Sequence, residues 1–383
     1  MEKPKIRFLK NKHSWVRSTF EGIAKRRTKS SDNPDLPRIE YQDILSGEGR
    51  LNKELSKNID CRKGIVFETN DILYGKLRPY LKNWLHPNFN GIALGDFWVL
   101  QARNCDSKFL FSLLQSPKFQ RVANDTSGTK MPRSDWKTVS QTEFSIPASN
   151  DEQSALGSLF RTLDDLLASY KDNLTNYQSL KENMLSKMFP KAGQTVPEIR
   201  LDGFEGEWEE KEFIQIVNRV TESSDSDSLP KVEFEDIISG QGKLNKDISS
   251  KFDNRKGILF KPGYTLYGKL RPYLNNWLLP KFEGVALGDF WVFDPNGNNS
   301  DFIYYLVQSS RYQKVANDTS GTKMPRSDWK SVSTTIFAIP QTIAEQQVIG
   351  TYFSNLDNLI NSYREKISQL EILKKKLLQD MFI

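Results

Sequence analysis

The 383-residue chain has only two cysteines, Cys61 and Cys105, and two histidines, His13 and His86. Two thiols without CxxC spacing form neither a disulfide framework nor a thiolate metal cage, and each reads as an ordinary small side chain in a reducing compartment. Long apolar runs are missing too. No stretch approaches the roughly 20 residues that cross a bilayer, and Met1 to Lys12 is charged throughout, without the apolar centre of a signal peptide. The expectation is a cytoplasmic protein with no membrane contact. Catalytic signatures are equally absent: there is no Walker-type phosphate loop, no His-Glu-x-x-His, no Gly-x-Ser-x-Gly and no Asn-Pro-Pro-aromatic motif of a DNA methyltransferase. Neither sign of charge dominates. The 54 basic against 48 acidic side chains give a net +6, a modest lean towards polyanionic partners.

What is present is core-forming material and a repeat. With 37% hydrophobic residues and 23 Phe, 13 Tyr and 8 Trp, the chain can bury more than one core. Trp15 matches Trp208, Tyr74 matches Tyr267, Pro147 matches Pro340 and Phe189 matches Phe382, without a gap and always 193 residues apart. Val122 to Lys137, VANDTSGTKMPRSDWK, recurs unchanged at Val315 to Lys330, and LYGKLRPYL at Leu73 recurs at Leu266. A period this long is domain duplication, far beyond the roughly 20 to 50 residues of a solenoid unit. Duplication also filters chemistry, because a function carried by both halves must use residues found in both. His13 and His86 face Gly206 and Leu279, and the two cysteines face Asn254 and Asn298. A metal site or a histidine base therefore cannot belong to the duplicated function.

Each repeat has two parts. From about Trp15 to Pro147, β-type runs such as Gly64 to Phe67 and Ile92 to Leu100, turn signals and a short helix around Phe109 to Phe119 predict a compact α+β domain. From near Asp151 to Pro190 there is no proline before the stop and only Gly157, and the apolar residues follow a four-three rhythm. That rhythm is Leu156, Phe160, Leu163, Leu167, Tyr170, Leu174, Tyr177, Lys181, Met184 and Met188. Its copy is Ile349, Phe353, Leu356, Ile360, Tyr363, Ile367, Leu370, Lys374, Leu377 and Met381. Such spacing marks a coiled-coil seam, with a helix packed on its own domain as the simpler alternative. Lys181 and Lys374 interrupt both seams at the same place, either setting register or lying at the seam's edge. Neither repeat has an obvious cover for its own seam, so the two helices are expected to pair. A continuous helix here would be roughly 57 Å long at about 1.5 Å per residue. Parallel pairing would stretch the Gly- and Pro-rich linker from Pro190 to Glu207 to its limit of roughly 60 Å, so antiparallel pairing is predicted. The expected boundaries are 1–150 and 191–343 for the two domains and 151–190 and 344–383 for the helices.

Two blocks suit contact with a polyanion. Around YGKLRPYLKNW, Lys76, Arg78 and Lys82 stand among Tyr74, Tyr80 and Trp84, with Lys269, Arg271 and Tyr273 in the copy. Basic and aromatic residues so mixed fit phosphate contact combined with packing or stacking. They also fit a strand and turn with solvated lysines and Arg78 paired to an acid. In TSGTKMPRSDW, the small residues Ser127, Gly128 and Thr129 allow close backbone approach while Lys130 and Arg133 supply charge; the copies are Ser320, Gly321, Thr322, Lys323 and Arg326.

Together these words resemble the specificity (S) subunit of type I restriction-modification systems, over essentially the whole chain. VPEIRLDGFEGEW at Val196 is similar to that family's domain opening, and ILYGKLRPYLKNW to its recognition-domain core. SGTKMPRSDWK, then Ile146 and Pro147, then Glu152 and Gln153, is similar to the passage into its helices, and this order recurs at Ile339, Pro340, Glu345 and Gln346. The resemblance implies two target-recognition domains, each reading half of a bipartite double-stranded DNA site, with spacer helices that dock two methyltransferase subunits. It further implies two restriction subunits, with S-adenosylmethionine, ATP and magnesium bound by those partners and neither cofactor nor catalysis in this chain. Many relatives carry two unlike recognition domains. Here they are nearly identical, which implies two similar half-sites in inverted orientation. The competing expectation is a coiled-coil scaffold whose heads bind protein or RNA.

Overall fold

The computed structural model describes residues 4–8, 14–52, 61–125, 130–248, 254–319 and 323–382. His13 lies outside them. The chain forms two compact units, residues 1–173 with 363–383 and residues 174–362.

In unit one, Trp15–Thr19 pairs antiparallel with Glu143–Pro147, which joins the entry and exit of the head. A four-stranded antiparallel sheet follows in the order Ala24–Arg26, Phe97–Ala102, Ile72–Gly75, Trp84–Leu85. A second sheet runs Ser30–Ser31, Gly64–Phe67, Gly91–Ala93, Arg38–Ile39, its last pair parallel. The expected strand from Ile92 to Leu100 is in fact two strands in different sheets. Gly95, at φ +88°, turns the chain between them, a backbone conformation that L side chains rarely adopt. The expected single helix is also two, Ser107–Gln115 and Pro117–Ala123. Ser116 closes the first and caps the second by accepting from the Phe119 N–H, and Pro117 supplies the φ of a first helical turn. Behind the sheets an aromatic core gathers Phe20, Tyr74, Phe119 and Phe144.

Unit two repeats this plan with Glu209–Glu212 against Ile336–Ile339 and two matching four-stranded sheets. Asn299 and Ser309 cap its two short helices. Its small hairpin, Ile237–Ile238 with Lys243–Leu244, corresponds to the single antiparallel bridge between Ile44 and Leu51 in unit one. Residues 191–207 do not hang loose: Arg200 grips Glu345 at 2.7 and 2.8 Å, and Ile199 and Leu201 pack on the head's core.

The heptad pattern is realised as two long helices, Asn150–Lys187 and Ile343–Met381. Glu152 locks the start of the first, accepting from Arg7 twice at 2.7 Å and from Trp15 Nε1 at 3.2 Å; Gln153 donates to the Pro147 carbonyl and accepts from the Asp106 N–H. Gly157 is required next. A Cβ there would sit 2.5 Å from the Phe109 nitrogen, so the helix can lie against Ser107–Gln115 only with glycine at the contact.

Within unit one, Phe160 meets Phe382, Asp164 meets Lys374 and Lys171 meets Glu371, so partner numbers fall as the first helix advances and the pairing is antiparallel. Unit two uses the opposite ends: Lys181 meets Asp357 and Phe189 meets Phe353. The seam is not wholly a helix-to-helix surface, however. Leu156, Phe160 and Leu163 join the core of their own head together with Leu378, Met381 and Phe382 of the other helix. The expectation that nothing in a repeat covers its own seam is therefore corrected: the head covers its beginning, and the returning helix end completes the cover.

A candidate nucleic-acid interface

Three segments meet at one edge of each head. The strand Ile72–Gly75 delivers Lys76, whose N–H donates to the Asp96 carbonyl at 2.9 Å and whose carbonyl accepts from Ser134 at 2.8 Å. Leu77 bridges to Arg133, and the Arg78 N–H donates to the Pro132 carbonyl at 2.7 Å. The Asp96 carboxylate takes Arg133 at 3.0 Å and Lys76 at 3.6 Å. Unit two reproduces the clamp, with Asp289 against Arg326 at 2.9 Å and Lys269 at 3.6 Å. There the Arg326 guanidinium holds the Asp289 carboxyl below the usual carboxylate range.

Arg78 and Arg271 stand apart from this clamp. Both are non-glycine residues in the left-handed region, at φ 49° and 48°, and each opens a short turn continued by Pro79 or Pro272. Such backbone is held only where its surroundings over-determine it, here by the bond to Pro132 or Pro325. The Arg78 side chain is exposed and forms no hydrogen bond or ion pair with a described residue, so the alternative of an acid-paired Arg78 does not hold among these residues. Lys82, Lys130 and Lys323 are exposed as well. Ser127, Gly128, Thr129, Ser320, Gly321 and Thr322 lie outside the described residues.

Asp96 and Asp289 carry the clamp but escape a search for cations. The signal for them is the heptapeptide Ala93 to Val99, ALGDFWV, identical at Ala286 to Val292. Tyr41 is a second such residue. Its hydroxyl donates to the Asp96 carbonyl at 2.6 Å and burial pushes the phenol up to about 12; its copy, Phe234, keeps only the ring contact, with Phe290.

Residues 208–372 match the family model of the type I restriction modification DNA specificity domain, and the ungapped repeat extends the likeness to the first half. Through residues 208–372 the chain is similar to the DNA specificity domain of type I systems. It is 21% identical over 376 residues to the type I restriction enzyme MjaVIII specificity subunit of Methanocaldococcus jannaschii, covering 88% of this chain and 84% of the relative. With the EcoDI specificity subunit of Escherichia coli it shares 24% over 190 residues, 47% of this chain and 42% of that one. A crystallised type I S subunit from M. genitalium superposes with a TM-score of 0.64 at 15% identity, over 100% of this chain and 99% of that one. A chain from a structure on assembly and conformational transition of the type I R-M system gives 0.53 at 16% identity, over 95% and 96%. These structures share the specificity-subunit fold.

The helix-pairing residues are placed as follows. Leu167, Ile349, Phe353, Leu356, Ile360 and Ile367 are buried; Tyr170 and Tyr363 bring their rings within 5.4 Å of each other; Leu174 is half-buried. Cys61 is exposed and Cys105 partly buried, both free thiols, while His86 stacks on Phe111 inside its head. Among the described residues no group of three or more His, Cys, Asp or Glu is arranged to hold a metal ion, and no helix is long and apolar enough to cross a membrane.

Proposed function

We propose that this chain reads a bipartite, near-palindromic double-stranded DNA site, one half with each head, and performs no catalysis itself. One observation carries the reading. The three longest identical blocks discussed above, Leu73 to Leu81, Ala93 to Val99 and Val122 to Lys137, are separate in sequence yet meet in each head at the Asp96 or Asp289 clamp, beside free cations. Of the differences between the heads, Glu68 against Lys261 and Asp71 against Tyr264 fall before Ile72–Gly75 and its copy, at the opposite end of that strand from the clamp, while Tyr41 against Phe234 is a difference beside it. Similar surfaces then favour similar half-sites. The reciprocal helix pairs, Lys181 with Asp357 and Asp164 with Lys374, support inverted rather than direct halves.

The long helices leave Leu166, Leu359, Ile372 and Leu373 exposed, apolar surface suited to docking two methyltransferase subunits. S-adenosylmethionine would be bound there, and ATP and magnesium on two restriction subunits. Selection from a randomised duplex library by the full-length chain tests the reading. A gapped inverted repeat is expected, and the DNA should stay intact when magnesium is added. Selection of no sequence would instead favour the scaffold with heads for protein or RNA.

A further inference from the structure

Each head carries an apolar tip that its own core does not use. Tyr80, Leu81 and Met131 are 56%, 39% and 49% exposed, and their copies Tyr273, Leu274 and Met324 are 58%, 38% and 49% exposed. Tyr80 and Leu81 sit in the turn that Arg78 opens, and the bond from the Arg78 N–H to the Pro132 carbonyl brings Met131 beside that turn. A scattered exposed apolar residue is ordinary, but three at one tip, repeated in the second copy, make a surface.

The surroundings of the tip decide its occupant. Arg78, Lys82 and Lys130 stand around it without a side-chain hydrogen bond or ion pair to a described residue, as do Arg271 and Lys323 in the second head. Cations alone would suffice for phosphates, and apolar side chains alone would suit a protein groove. Free cations ringing large apolar side chains match a duplex, which offers phosphates at its edge and base edges and thymine methyls within its grooves. We propose that Tyr80 and Met131, and likewise Tyr273 and Met324, lie against nucleobases of the bound duplex while the neighbouring cations hold its backbone. This rests on the DNA reading above and adds the kind of contact to it.

The test uses the full-length chain and the duplex it selects from a randomised library, with 2-aminopurine placed in a half-site. Combining Tyr80→Ala with Met131→Ala should weaken binding about ten-fold or more, as lost base contacts do. The log–log salt slope should stay unchanged, whereas a lost phosphate contact lowers it by about 0.9. The 2-aminopurine fluorescence change on binding should shrink as well. Because the replaced side chains are exposed, thermal unfolding should match wild type, and Tyr80→Phe with Met131→Leu should retain affinity by keeping the apolar volume. Wild-type affinity and fluorescence in the alanine variant would overturn the proposal, as would intact DNA binding with loss of a co-purifying protein subunit. If the wild-type chain selects no duplex, the DNA reading itself fails and this inference falls with it.

Discussion

Lys181 donates to both carboxylate oxygens of Asp357, at 2.7 and 2.9 Å, and to Gln308 at 3.1 Å. Its repeat equivalent does the same in the other unit, Lys374 reaching Asp164 at 2.5 Å and Gln115 at 2.6 Å. Each repeat thus supplies the acid of one pair and the lysine of the other. These lysines are polar pins set into an apolar seam, and the expectation is that they fix register in the way a polar seam residue does. Replacing Lys181 with Met should destabilise the protein by about 2 to 3 kcal/mol, somewhat below the cost of breaking a wholly buried pair because both side chains keep partial access to water. Exchanging the charges, Lys181→Asp with Asp357→Lys, should recover most of that loss. Urea unfolding of the three proteins checks it, and equal stability throughout would remove the pins from the register argument.

Reciprocity also makes the half-chain self-complementary. Residues 1 to about 193 contain both Asp164 and Lys181, and Leu185, Met188 and Phe189 repeat the Leu378, Met381 and Phe382 that complete the first head's core. Two copies of this half should therefore pair and bind a symmetric duplex. Sedimentation should show a dimer, and a folded monomer would contradict the shared-core explanation.

Within the candidate interface the cations are expected to divide. Arg78→Ala should lower the salt slope by about 0.9 if the guanidinium meets a phosphate, or lower the preference for the selected sequence if it meets a base edge. Asp96→Asn should release Lys76 and Arg133 from their clamp, raising affinity for random duplex while narrowing the gap to the selected one. Filter binding across a salt series separates these outcomes. Reversing Lys76, Arg78, Lys130 and Arg133 together without any change in affinity would exclude this edge of the head.

Acid should loosen the second clamp. Asp289 is held low by Arg326, so its ionised form is favoured in the folded chain; its contribution is present above the ordinary Asp value of about 3.9 and is lost as pH falls through the depressed folded value. The difference in unfolding midpoint between wild type and Asp289→Asn should shrink over that acid range. A difference independent of pH would show that the clamp does not depend on this charge.

Much of this was legible because the repeat tested every reading twice. The long helices follow from a periodicity sustained over several heptads, and the two-domain α+β plan from turn signals and alternation. The break at Gly95 is marked only by the Gly95-Asp96 pair, a signal that the apolar residues on either side outweigh when the run is read as one strand. The split at Ser116 was visible in principle as a cap followed by Pro117. Of the candidate site, the cations stood out by charge, but their organiser, Asp96, is one common acid whose importance lies in a long-range meeting of three segments. Lys181 could not be understood alone, since its partners Asp357 and Gln308 lie 176 and 127 residues away.

Methylome sequencing of the host with and without this gene tests the central claim most directly. The symmetric reading predicts one motif lost with the gene: two identical or nearly identical half-sequences in inverted orientation, separated by unspecified bases, with a methylated adenine in each half. Two unrelated half-sequences, or a direct repeat, would contradict it.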